Sequence, residues 1–151
     1  RYVVEAGKTL DGAWRTDADG GKYHLWVLGP NGYHREFAGN AGELSASGGP
    51  EVQACYELCD PPRLQLKLHN RGGKTCAFQV SAPAYRKDGP WTATVEAGAV
   101  GELSWPVGDS GGWYDFVVGC DTSASFQRRV AGRIESGKDS ITDPAMGLAA
   151  D

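Results

Sequence analysis

Several things that common function classes require are scarce in this chain. Its longest apolar runs are four or five residues, far short of the roughly 20 that a membrane-spanning helix needs. Positive charge is in deficit: 15 Lys and Arg stand against 19 Asp and Glu, a formal net charge of −4 with a pI near 5.3. The basic footprint of a nucleic-acid binder is therefore missing. No His-Glu-x-x-His occurs, so no zinc-protease helix is announced. Helical periodicity is nearly absent as well. What is plentiful is punctuation: 22 Gly and 8 Pro lie between short apolar runs, as turns do in an all-β chain. Hydrophobic content of 40% with five Trp is enough for a packed core and excludes wholesale disorder.

The second feature is an internal repeat. Val4-Glu5-Ala6-Gly7 returns as Val95-Glu96-Ala97-Gly98, and Trp14, Gly20, Gly21, Tyr23 and Val27 return as Trp105, Gly111, Gly112, Tyr114 and Val118, all 91 positions on. After a two-residue insertion, Arg35, Ala38 and Gly39 match Arg128, Ala131 and Gly132 at a step of 93. A step this long marks a duplicated unit, since solenoid repeats recur about every 20–50 residues. The second copy carries a long stretch ahead of its Val-Glu-Ala-Gly that the first lacks, so the chain reads as a fragment that opens in mid-repeat.

Alternation with a period of two gives the strands. In Arg63-Leu64-Gln65-Leu66-Lys67-Leu68-His69 three Leu face a core and the polar residues face away. Cys76, Phe78 and Val80 alternate after a Gly-Gly turn, and Phe116 and Val118 repeat the pattern. Pro30-Asn31-Gly32 is a strong turn signal, after which Tyr33, Arg35 and Phe37 share a face. Six or seven short strands between Glu51 and Glu135, with turns about every 8–12 residues, predict an immunoglobulin-like β-sandwich. The expected organisation is residues 1–40 as the C-terminal half of a first repeat, 41–50 as linker, 51–136 as a complete sandwich and 137–151 as a surface tail. The apolar residues of the first copy (Val3, Trp14, Leu25, Val27 and Phe37) need cover. Docking onto the second copy within the chain is favoured over a homodimer through residues 1–40.

Cys55, Cys59, Cys76 and Cys120 are disulfide candidates if the chain is exported, with three connectivities open. Zinc ligation and buried free thiols compete with that reading, and zinc suffers because only Cys55 and Cys59 are closely spaced. The three His fall on alternating strands, where outward-facing roles prevail; His24 and His34 flank one hairpin without an obvious third metal ligand. Asp17-Ala18-Asp19-Gly20 looks like the start of a calcium loop, but no bidentate Glu follows at the required spacing. No cofactor is implied. The recurring Trp14 and Trp105 suit a ring that closes a sandwich. Among the rest, Tyr33 and Trp113 sit beside turns where binding modules present aromatics, Arg35 shares a face with Tyr33, and Arg128 and Arg129, with Arg133 beyond them, suit an anionic lipid or phosphate. Tyr33, Arg35, Trp113, Arg128 and Arg129 are the candidate ligand contacts, set against the plainer alternative of edge packing and solvated strand charge.

The run Val4-Glu5-Ala6-Gly7-Lys8, Trp14, Tyr23-x-Leu25-x-Val27-x-Gly29-Pro30-Asn31-Gly32-Tyr33-x-Arg35-x-Phe37-Ala38-Gly39 resembles the C-terminal domain of bacterial phospholipases C. These are secreted, phosphocholine-preferring enzymes related to acid phosphatases, which carry this domain in tandem after a catalytic domain. Leu64-x-Leu66-x-Leu68-x-Asn70-x-Gly72, Phe78-x-Val80 and Trp113-Tyr114-Asp115-Phe116 extend the likeness into the second copy, and the close from Glu135 to Gly147 is similar too. The Pro-Asn-Gly turn is lost in the second copy at Cys120 to Ser125. The resemblance implies a secreted or periplasmic bacterial protein whose catalytic and metal-binding residues lie outside this chain. It implies an accessory role beside a catalytic domain, with a phospholipid surface as a further partner; the alternative is an independent module for lipid headgroups or carbohydrate.

Overall fold

A computed structural model describes residues 2–44, 48–137, 139 and 141–146. Among the described residues nine strands carry the fold: β1 (Lys22–Leu28), β2 (His34–Asn40), β3 (Pro50–Glu57), β4 (Arg63–Asn70), β5 (Cys76–Ser81), β6 (Trp91–Val95), β7 (Val100–Pro106), β8 (Trp113–Cys120) and β9 (Gln127–Arg133). The helical elements among the described residues are two single 3-10 turns, Asp17–Asp19 and Ala41–Glu43, and no helix is long and apolar enough to cross a membrane.

The strands form two antiparallel sheets, one ordered β1-β2-β9-β8-β5-β6 and the other β3-β4-β7. The period-two pattern decides which side chains lie between them. Leu64, Leu66 and Leu68 of β4 are fully buried, as are Cys76, Phe78 and Val80 of β5 and Val118 of β8, with Phe116 1% exposed. Burial of each large apolar side chain stabilises the fold by about 2 kcal/mol. The sheets are bolted together by rings: Trp105 from β7 stacks on Phe116 from β8 at 4.5 Å, and Trp91 from β6 lies 4.9 Å from Trp105.

Residues 22–40 do not stand apart. β2 pairs with β9, so the first repeat extends the larger sheet of the second. Two equivalent strands meet here antiparallel, with Arg35 opposite Val130, Glu36 opposite Arg129 and Phe37 opposite Arg128. At the repeat step of 93, Glu36 corresponds to Arg129, Arg35 to Arg128 and Phe37 to Val130. The pairing is therefore a pseudo-two-fold with its axis through Glu36 and Arg129, an isologous contact of the kind that joins symmetric dimers, here made within one chain.

The symmetry stops at the second layer. Trp14, at the position of Trp105, is 58% exposed rather than 5%, so it closes no sandwich. The reason is pairing. β7 is held in its sheet by β4 alone, and residues 9–15, which match β7 by sequence, have no counterpart of β4 and form no strand. Val3 is 87% and Val27 49% exposed, while Leu25 and Phe37 are half-buried. Docking on the second copy thus covers the first only in part. The tail lies against the β7–β8 turn and the β5–β6 loop: Trp113 Nε1 donates to Ile141 O at 3.1 Å and Tyr85 Oη to Asp143 Oδ1 at 2.7 Å. Met146 is exposed.

Candidate functional site

The polar chemistry concentrates at the seam between the copies, inside the sandwich. Arg35 on β2 and Arg128 on β9 point inward from equivalent places and are 8% and 6% exposed. Each Nη1 bonds two main-chain oxygens, one beside it and one across the seam: His34 O and Ala131 O (both 2.8 Å) for Arg35, Gln127 O (2.9 Å) and Ala38 O (2.8 Å) for Arg128. Each Nη2 donates to the recurring tyrosine of the other copy, Tyr114 Oη at 3.2 Å for Arg35 and Tyr23 Oη at 3.1 Å for Arg128. Tyr114 belongs by number to the second copy and Tyr23 to the first, so both bonds cross the seam. Each guanidinium also lies over a ring, Tyr33 at 4.2 Å and Phe126 at 4.5 Å, which are equivalent positions worth up to about 1–2 kcal/mol each as cation–π pairs.

The recurring glycine explains the approach. A Cβ on Gly39 would sit 2.5 Å from Tyr23 Oη, and one on Gly132 would sit 3.0 Å from Tyr114 Oη. Tyr, Arg and Gly recur together because the hydroxyl passes over the glycine to reach the arginine of the other copy. Each of the three was visible in the repeat; their convergence was not, since they stand on separate strands.

β3 breaks the equivalence. Glu51 takes Arg128 in a bidentate grip, Nε to Oε1 at 2.7 Å and Nη2 to Oε2 at 2.9 Å. At the other end of β3, Tyr56 Oη accepts from Arg35 Nη2 at 2.5 Å and lies 2.8 Å from Tyr114 Oη. Neither Glu51 nor Tyr56 has a counterpart within this chain, so the repeat gave no signal for them. Burial opposes the charge on both arginines, yet both pKa values end up raised: the Tyr114 oxygen leads on Arg35 and the Glu51 carboxylate on Arg128. Burial and the Tyr56 bond raise Tyr114, against the pull of Arg35, so it stays a neutral phenol.

Tyr33, Tyr56 and Tyr114 open onto a cleft of about 680 Å³ that Leu58, Arg133 and Ile134 also line. Tyr33 lines this cleft while its ring lies over the Arg35 guanidinium, which is not itself among the lining residues. Trp113 does not join them: it lines a separate cavity of about 370 Å³ with Tyr85, Arg86 and Asp115. Arg129 is on the outer face, held by Asp115 at 2.9 and 2.6 Å. Arg128 and Arg129 are thus each committed to a carboxylate of the chain.

Other candidates are placed as follows. His24 lies opposite Ala38, four residues along β2 from His34, so the two rings are not juxtaposed; His24 Nε2 is 2.6 Å from Glu36 Oε1. Among the described residues no group of three His, Cys, Asp or Glu is arranged to hold a metal ion. The four cysteines are thiols in this structure. Cys76 and Cys120 are neighbours on β5 and β8, with Thr122 Oγ1 at 3.3 Å from the first sulfur and 3.6 Å from the second; Cys55 and Cys59 contact neither.

Two sequence spacings match catalytic motifs superficially. Gly108-Asp109-Ser110-Gly111-Gly112 has the Gly-x-Ser-x-Gly form, but it lies between two strands rather than on a strand-to-helix elbow. Ser110 Oγ donates to Val107 O and Trp113 O and takes no histidine partner. Gly132 to Lys138 has the Gly-x-x-x-x-Gly-Lys spacing, but Asp139 stands where a phosphate loop needs Ser or Thr, and Gly132 is inside β9 rather than ahead of a helix.

The family described as bacterial phospholipase C, C-terminal domain, matches residues 1–40 and again 50–133, one stretch for each copy. This chain belongs to that family. The domain is 39% identical to the non-hemolytic phospholipase C of Pseudomonas aeruginosa over 151 residues, covering 98% of this chain and 22% of the relative. It is 36% identical to the hemolytic phospholipase C of the same organism and 35% identical to the non-hemolytic phospholipase C of Burkholderia pseudomallei, covering 98% of this chain and 21% of each. This phospholipase C domain therefore spans about a fifth of the length of these relatives.

Proposed function

We propose that this chain is a non-catalytic accessory module of a secreted or periplasmic phospholipase C, bracing the catalytic domain or its engagement of lipid substrate. The observation that carries the reading is coverage. The match takes in nearly all of this chain and only about a fifth of each named enzyme, which leaves most of such an enzyme to house the chemistry. The architecture suits a brace, because the two copies share one sheet and cross-bonded arginines, and packed interiors transmit strain rather than absorb it. The strand order β3-β4-β7 against β9-β8-β5-β6 supports reading residues 51–136 as one immunoglobulin-like repeat, with residues 1–40 as part of another.

The test compares an enzyme carrying this segment with the same enzyme lacking it, on a soluble phosphocholine ester and on phosphatidylcholine vesicles. Loss of thermal stability or of vesicle hydrolysis, with turnover of the soluble ester retained, is the expected result. Turnover of the ester by the isolated chain, abolished by a point substitution within it, contradicts the proposal.

A second reading is an independent binding module for lipid headgroups or carbohydrate, and the opening of Tyr33, Tyr56 and Arg133 onto one cleft favours it. Under that reading the isolated chain binds vesicles or glycans, and Tyr33→Ala weakens binding at temperatures where the variant remains folded.

A further inference from the structure

We propose that Cys76 and Cys120 are a built disulfide site: in the presence of a disulfide oxidant their sulfurs join and staple β5 to β8, while Cys55 and Cys59 take no part in the bond.

Strand register brings the two together. Phe78 of β5 stands opposite Cys120 of β8. Asp121 N donates to Ala77 O at 3.1 Å, which carries the register one pair further and sets Cys76 opposite Thr122. Because Ala77 and Asp121 share the ladder bond, Cys76 and Cys120 occupy the flanking positions, where side chains of antiparallel strands come closest. They are diagonal neighbours on one face. That face is the interior: Cys76 is fully buried, and the half-buried Cys120 packs against the core. Both sulfurs touch a single hydroxyl, Thr122 Oγ1, at 3.3 Å for Cys76 and 3.6 Å for Cys120. Burial raises the pKa of the Cys76 thiol, and the Cys120 thiol adds to the rise as a direct neighbour does. Cys76 opens β5 and Cys120 closes β8, and a strand end can make the small shift that a diagonal bridge requires.

The other two thiols are elsewhere. Cys55 follows Ala54, which packs against the core, and stands opposite Gln65, so it points away from the interior. Cys59 lies in the loop ahead of β4 with its Sγ donating to Pro61 O at 3.0 Å, and the eight residues of β4 separate that loop from Cys76. Of the three connectivities open to four cysteines, the two that join Cys76 to Cys55 or Cys59 are therefore excluded. The chemistry is thiol–disulfide exchange. The more accessible Cys120 loses its proton and attacks one sulfur of oxidised glutathione, whose S–S bond breaks and releases one glutathione thiolate. Cys76 then gives up its proton and attacks Cys120 Sγ, expelling the second. The two protons pass to the two thiolates, so two cysteine thiols are oxidised and one external disulfide is reduced to two thiols. The new bond closes a segment that contains β6 of one sheet and β7 of the other, and such closure stabilises chiefly by restricting the unfolded chain. This inference is independent of the accessory role and of any activity.

The reduced, folded full chain is incubated with oxidised glutathione at pH 8, quenched in acid and digested with pepsin for mass spectrometry without reductant. The expected product is a peptide carrying Cys76 joined to one carrying Cys120, with a Tm about 5–10 °C above that of the reduced chain. The double variant Cys55→Ser, Cys59→Ser should show the same bond and the same rise. Cys120→Ser should show neither, and Cys76→Ser should hold glutathione on Cys120 as a mixed disulfide that the unaltered chain does not accumulate. Should Cys76→Ser fail to fold, the other two variants decide. A bond from Cys76 or Cys120 to Cys55, to Cys59 or to a second molecule overturns the pairing. So does a chain in which Cys59 carries glutathione while Cys76 and Cys120 remain thiols. A Cys76–Cys120 bond with an unchanged Tm overturns the staple.

Discussion

Replacing Glu51 with Gln tests whether the seam is held by charge. Arg128 has a side chain 7% exposed and Glu51 one 35% exposed, joined by two bonds of 2.7 and 2.9 Å. Removing one partner of a fully buried pair costs about 3–5 kcal/mol, while exposed pairs contribute at most about 1 kcal/mol. Glu51 is open enough to require a discount. The chain also supplies its own control, because Arg35 persists without a carboxylate on the same kinds of oxygen that Arg128 would keep. Weighing these, we expect Glu51→Gln to destabilise by about 2 kcal/mol, or a Tm lower by about 4–8 °C for a chain of this length. The assay is thermal and denaturant unfolding of Glu51→Gln, Arg128→Met and the double variant. Coupling within the pair predicts that the double variant loses much less than the sum of the singles. Additive losses, or a Glu51→Gln loss below about 0.5 kcal/mol, would refute the reasoning and make the seam a matter of apolar packing alone.

Two other outcomes follow from the same structure. Burial raises the pKa of Glu36, but hydrogen bonding and the charges of His24 and His34 outweigh it, so the net shift is downward; Arg129 faces it across the seam. A carboxylate with a lowered folded pKa adds stability above its unfolded value, about 4.3, and loses it as pH falls through the folded value. The acid limb of a stability–pH curve should accordingly flatten in Glu36→Gln, and an unchanged limb counts against this account. Burial pushes the Cys76 thiol up to about 11, while Cys59 is exposed, so iodoacetamide at pH 8 should label Cys59 of the reduced native protein first and Cys76 last. The reverse order would show that β5 is not where the structure places it.

Much of the fold was legible because a period of two is a local property. Leu64, Leu66 and Leu68 declare a buried face by alternation alone, and the Pro30-Asn31-Gly32 turn declares its hairpin, in which Asn31 and Gly32 take positive φ values of 54° and 68°. The repeat likewise named Tyr23, Tyr114, Arg35, Arg128, Gly39 and Gly132 as recurring residues without saying what they do together. Their assembly depends on β2 meeting β9 in one register, a long-range pairing that no local pattern encodes.

The sequence by itself determined the strands, the duplication and the family, since each rests on residue type and spacing along the chain. Only the tertiary structure decided that equivalent strands join about a pseudo-two-fold and that each arginine reaches across to the other copy. It also decided that Trp14 and Trp105, alike in sequence, differ in burial. The physical reason is that burial and pairing belong to what lies opposite in space. Trp105 has β4 beside its strand and Phe116 beneath its ring; Trp14 stands on the same pattern of residues with no β4 beside it.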